Sequence, residues 1–170
     1  MQKLISKITI EKHRITAFPS DEISKYLSEP LFIHSEQIDL SQTPKDIACL
    51  PFVYNLAPIA WRVGGEWMVD ELSEEAAQNL EIARANMGEL WSDYEWSGVI
   101  HGKNKASNQQ GKKAALLFSG GLDSTFTAMQ ILDKKPTLIT IHGGRDLQLQ
   151  DENAWAAVET ATARFSNEHA

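Results

Sequence analysis

The residues of this chain best suited to chemistry lie together at 119-SGGLDST-125. Gly120 and Gly121 have no Cβ to keep an oxyanion away from the main chain, and glycine reaches backbone angles closed to other residues. Amide N–H groups can therefore point at phosphate oxygens. Ser119, Ser124 and Thr125 add hydroxyl donors beside them. Asp123 would repel a phosphate unless a cation stood between the two, which points to Mg²⁺ as a companion with Asp123 as its ligand. The apolar run 114-AALLF-118 precedes the segment, and an amphipathic stretch follows it. This order predicts a strand, a tight turn and a helix whose N-terminus faces the anion. Leu122, Phe126, Met129 and Leu132 fall on one side of that helix and are expected to anchor it, with Lys134 and Lys135 closing it. After Pro136, 137-TLITIHGG-144 reads as a second strand, parallel to the first and ending on the same edge. An ordinary Ser-Gly-Gly turn with no ligand is the plain alternative.

SGGLDST resembles the SGGxDS[ST] signature of the N-type ATP pyrophosphatases, the PP-loop or adenine nucleotide alpha-hydrolase-like superfamily. With Phe118 ahead of it, the loop is most similar to that of 7-cyano-7-deazaguanine synthase-like proteins. The resemblance implies an α/β domain with a parallel sheet, ATP at the strand ends and Mg²⁺ on the phosphates. It implies that Ser119, Gly120, Gly121, Ser124 and Thr125 bind pyrophosphate while Asp123 helps hold the metal. Attack of a substrate oxygen on the α-phosphorus would then release pyrophosphate and leave an adenylylated intermediate, as in a ligase or an amidotransferase-like enzyme. The resemblance implies catalysis by positioning and charge neutralisation, without a protein nucleophile. Ile141 and His142 become candidate adenine contacts, with Arg145 and Asp146 at the rim. For His142 the alternative is a strand-end imidazole bonded to solvent or backbone.

The sequence departs from the family in two ways. The stretch from Lys113 to Ala170 falls short of the roughly 100 residues a doubly wound domain needs. The expected ATP-binding domain is therefore its first part: either the chain is a fragment of a longer protein or a partner chain or second copy completes the sheet, and little activity is expected of this short chain. The accessory chemistry is also missing: Gln2 follows Met1 where a glutaminase domain has cysteine, and the single Cys49 cannot supply a four-ligand zinc cluster. The apolar context IACLPF predicts a buried, inert thiol. The reading is an ATP-binding protein that adenylates an unidentified small molecule; a non-catalytic nucleotide-sensing or assembly module is the alternative. No Walker loop, dinucleotide fingerprint or H-E-x-x-H helix competes.

Other elements must carry this site. The expected architecture is α/β: a small α+β N-terminal domain over 1–101, a linker over 102–113 and an incomplete PP-loop domain over 114–170. LISKITI and RITAF predict a strand pair around a polar turn, and LFIHS a further strand. Pro51, Pro58, Gly64 and Gly65 predict short extended pieces between Cys49 and Val69. Ser73 caps a helix with Ala76, Leu80, Ala83, Met87 and Leu90 on one stripe. The run 102-GKNKASNQQGKK-113 has no large apolar residue and reads as an exposed loop. Asp151 is placed to cap a last helix in which Trp155, Val158 and Phe165 pack.

The 170 residues include 16 Lys+Arg against 23 Asp+Glu, a net charge of −7. That balance disfavours nucleic acid unless a local basic patch supplies the attraction. Lys103, Lys105, Lys112 and Lys113 form one such cluster, read as a solvated linker. The acids of 66–95 read as a solvated helix face, and Trp61, Arg62, Trp67, Trp91 and Trp96 as core packing before an aromatic recognition surface. With one cysteine and no apolar run of membrane-spanning or signal-peptide length, a cytoplasmic protein with no membrane partner is expected.

Overall fold

The computed structural model describes residues 1–106, 111, 113–143 and 148–169, with the side chains of 104–106 left aside. It is a mixed α/β structure with five α-helices among the described residues. The chain divides into two compact units, Met1–Asn108 and Gln109–Ala170.

In the first unit, β1 (Gln2–Lys3) passes directly into β2 (Ile5–Ile10), and the two strands join different sheets. β2 pairs antiparallel with β3 (Arg14–Pro19), which pairs antiparallel with β4 (Leu31–His34), as the alternating residues predict. The short helix α1 (Asp21–Ser24) follows β3. The inward residues of this sheet are Ile8, Ile10, Ile15, Ala17, Leu31 and Ile33, all in or against the core. The other sheet is parallel, ordered β1–β5–β6, with β5 over Glu66–Ser73 and β6 over Val99–Ala106.

The prolines mislead between Cys49 and Val69. Lys45–Val63 is one continuous helix, α2, with Pro51 and Pro58 inside it. They stand seven residues apart, on the side away from the core, so the carbonyls they leave without an N–H partner turn toward water. The opposite side buries Ala48, Cys49, Phe52, Val53, Leu56, Ala57, Ala60 and Trp61, four repeats of an adjacent pair at helical spacing. Each large aliphatic or aromatic group so buried contributes about 1.5–3 kcal/mol, enough to outweigh the broken hydrogen bonds. The buried Trp67 of β5 braces the helix end, its Nε1 donating to Gly64 O at 2.9 Å.

Helix α3 (Glu74–Leu90) starts where expected, Ser73 Oγ accepting from Ala76 N at 3.2 Å. Ala76 and Leu80 are buried, and Ala83 and Met87 pack at the core margin, whereas Leu90 has turned out to solvent. β6 runs on to Ala106, into the stretch expected to be linker. Its pairing with β5 uses main-chain groups and needs no apolar side chains: Val69 faces Gly102 and Ser73 faces Ala106.

The second unit holds β7 (Ala115–Leu117), α4 (Leu122–Gln130), a 3₁₀ turn (Leu132–Lys134), β8 (Thr137–Ile139) and α5 (Glu152–His169). β7 and β8 are parallel, as expected, with Leu116 opposite Leu138. Asp151 Oδ1 accepts from Ala154 N at 2.9 Å and opens α5, and Phe165 of α5 meets the buried Phe118 at 4.7 Å between ring centroids. The expected helical run to Lys135 breaks after Gln130, ahead of Pro136. The anchoring of α4 also differs. Ala128 is its buried residue, while Leu122 is 86% and Phe126 64% exposed and Met129 also faces solvent. The stripe has the predicted spacing, but no described element of this unit lies over it. Leu117, Ile139 and Ile141 are likewise exposed.

Among the described residues, no helix is long and apolar enough to cross a membrane.

Candidate functional site

The turn after β7 is held from behind by the sheet. Phe118 N donates to Ile139 O at 2.8 Å, and Thr140 Oγ1 donates to Phe118 O at 2.7 Å, so the residue that joins β7 to the turn is fixed on both its main-chain polar groups. Beyond it, Ser119, Gly120 and Gly121 are exposed. Gly120 has φ +75°, and a Cβ built there would meet nothing within 4 Å. The peptide is thus bent into the left-handed region beside open space, an arrangement that suits the close approach of an oxyanion.

Gly121 is the N-cap of α4, and no side chain caps that helix. Ser119 Oγ and Ser124 Oγ lie 3.2 Å apart, with Ser124 Oγ donating to Gly121 O at 3.1 Å. Thr125 N donates to Gly121 O, closing the first helical turn. The structure therefore brings Ser119, Gly120, Gly121, Ser124 and Thr125 around one helix end. Asp123 lies in the same first turn and is exposed. Among the described residues, no group of three or more His, Cys, Asp or Glu side chains could hold a metal ion. A Mg²⁺ here would have Asp123 as its protein carboxylate and draw its other ligands from phosphate and water, the usual manner for this ion.

Ile141 and His142 follow β8, whose C-terminal end shares a sheet edge with the turn. Ile141 is exposed. His142 is engaged within the protein: its ring stacks on Trp155 at 4.4 Å with an interplanar angle of 2°, and Nε2 lies 3.1 Å from Gln148 O. Trp155 packs as the sequence predicts, with this imidazole as its partner. Gly144, Arg145 and Asp146 lie outside the described residues, as does Lys112.

The other candidates separate cleanly. Cys49 is buried, its Sγ 3.1 Å from Glu71 O and 3.2 Å from Asp46 O. Burial, then the charge of Asp46, pushes the thiol up to about 11. At pH 8 it is expected to react with a disulfide reagent about a hundredfold more slowly than a free cysteine, and to recover ordinary rates in denaturant. The unfolded thiol ionises first, so Cys49 stabilises the fold below pH 9, and that stability is lost as pH rises toward 11. Trp61 and Trp67 are core residues, but Trp91 is half exposed, and Arg62 sits 4.8 Å from the Tyr94 ring and 5.6 Å from that of Trp96. Comparison with protein families, curated proteins and solved structures gives no match to this chain.

Proposed function

We propose that the Ser119–Thr125 turn binds the β and γ phosphates of ATP with magnesium, within a PP-loop type α/β domain that adenylates a small-molecule substrate and releases pyrophosphate. One observation carries the reading: SGGLDST sits between a strand end and an uncapped helix start, with Gly120 left-handed and open to solvent. Main-chain amides and the hydroxyls of Ser119, Ser124 and Thr125 orient the departing diphosphate, which contributes by positioning and by charge stabilisation. Bound magnesium supplies neutralisation of the phosphate charge. Ile141 and the stacked His142–Trp155 pair border the position of the base. The bare apolar groups of α4 and the small sheet support the further reading that additional α/β structure, from a longer chain, a partner chain or a second copy, covers this unit.

A non-catalytic nucleotide-sensing module is the second reading. It is favoured by an intact turn standing on a sheet of two strands among the described residues, short of a full catalytic half. Titration calorimetry with ATP, with and without magnesium, tests binding. Asp123→Ala is expected to lower affinity about tenfold in magnesium and to change little without it. Products then separate the readings: pyrophosphate and AMP support adenylation, binding without turnover in the completed assembly supports sensing, and ADP with phosphate excludes the mechanism.

A further inference from the structure

In a chain of net charge −7, a surface without carboxylates is unusual, and the solvent face of the β2–β3–β4 sheet is one. The antiparallel register sets Lys7 beside Phe18, Thr9 beside Thr16, Thr16 beside Phe32, and Arg14 beside His34. Every side chain in these pairs is cationic, aromatic, imidazole or hydroxyl. Phe18 is 37% and Phe32 39% exposed, at diagonal positions on neighbouring strands about 7–8 Å apart. Cations attend both rings: Lys7 Nζ lies 5.8 Å from the Phe18 centroid and Arg14 Cζ 4.0 Å from that of Phe32. Carboxylates stand at its border: Glu11 in the β2–β3 turn, Glu36 4.0 Å from His34 Nε2, and Asp21 and Glu29, which line a surface pocket with Phe18.

We infer that this face binds single-stranded nucleic acid. The half-exposed Phe18 ring and the Arg14 guanidinium lying over Phe32 offer flat stacking platforms for unpaired bases, and the charges of Lys7 and Arg14 stand there to meet the linking phosphates. The charge complementarity is local, so it operates despite the acidic balance of the whole chain. An acidic protein segment would satisfy the cations but give the rings nothing to stack on. Duplex is disfavoured because its bases are already stacked on each other. Recognition by stacking and charge carries little sequence preference. The inference is independent of nucleotide binding at Ser119–Thr125.

Fluorescence polarisation of a labelled uridine oligomer, without ATP and at about 50 mM salt, tests it on the whole chain. The expected dissociation constant is about 10 μM, with a log–log salt slope near −1.4 for about two phosphates. Phe18→Ala with Phe32→Ala is expected to weaken binding about tenfold or more while leaving the salt slope unchanged. Lys7→Glu with Arg14→Glu is expected to abolish it. These side chains point to solvent, and circular dichroism verifies that both variants keep the fold. No binding by the parent chain overturns the inference. So does binding that survives both double variants, binding lost instead on changing Lys103 and Lys113 to Glu, or competition by polyglutamate as effective as that by unlabelled oligomer.

Discussion

Gly120→Val is expected to remove ATP binding while leaving the protein folded. At φ +75° a β-branched residue is strained by about 1–3 kcal/mol, so the peptide is driven out of the left-handed region. Nothing lies within 4 Å of the added Cβ, so the core does not feel the change. The lost element is the orientation of the amides and the space in front of them, and the valine methyls fill the place proposed for a phosphate. Affinity should fall at least about a hundredfold by calorimetry, equivalent to about 3 kcal/mol. Gly121→Ala provides the contrast. With φ −74° at Gly121 and Ser119 Oγ 3.5 Å from the new Cβ, alanine fits, and the loss should be much smaller. Equal ATP affinity in parent and Gly120→Val protein would remove the turn from consideration as the phosphate site.

The largest loss of stability is expected from Gly98→Ala. This residue brings the chain back against the last turns of α2, where its N–H donates to Trp61 O at 3.0 Å. A Cβ there would overlap Ala60 O and stand 2.8 Å from Ala60 C and 2.9 Å from Trp61 Cα. All three are backbone atoms of a helix fixed by its buried face, so they cannot rotate aside as a side chain would. A cost of about 3 kcal/mol or more is expected, lowering Tm by about 10 °C or more. Tryptophan emission reads mainly this unit, since Trp61, Trp67, Trp91 and Trp96 belong to it and Trp155 alone to the other. A Tm within a degree or two of the parent would mean that β6 does not lie against α2 as described.

The sequence made the turn legible because its chemistry is local: seven consecutive residues carry both the amides and the hydroxyls, and strand and helix signals flank them. Ser73 and Asp151 were legible as helix caps for the same reason. Long-range facts were harder to read. Pro51 and Pro58 outweighed the pairs 48/49, 52/53, 56/57 and 60/61, although those pairs already had helical spacing; the decisive fact, that both prolines face away from the core, depends on the tertiary structure. The absence of apolar residues after Gly102 hid a strand held by main-chain bonds. In α4, periodicity identified the stripe of Leu122, Phe126 and Met129 but could not say whether a neighbour existed to cover it. The face that carries Lys7, Arg14, Phe18 and Phe32 is assembled from three strands by register, so no single segment announced it.

The exposed leucines, isoleucines, Phe126 and Met129 of the second unit have a thermodynamic consequence. Apolar groups that are already wet gain little new hydration when the chain opens. Unfolding of this unit should therefore carry a heat-capacity increment well below that of a well-packed segment of the same length, and a shallow dependence on urea. Its transition would be broad and low in enthalpy beside that of the first unit, and covering the exposed surface would sharpen it.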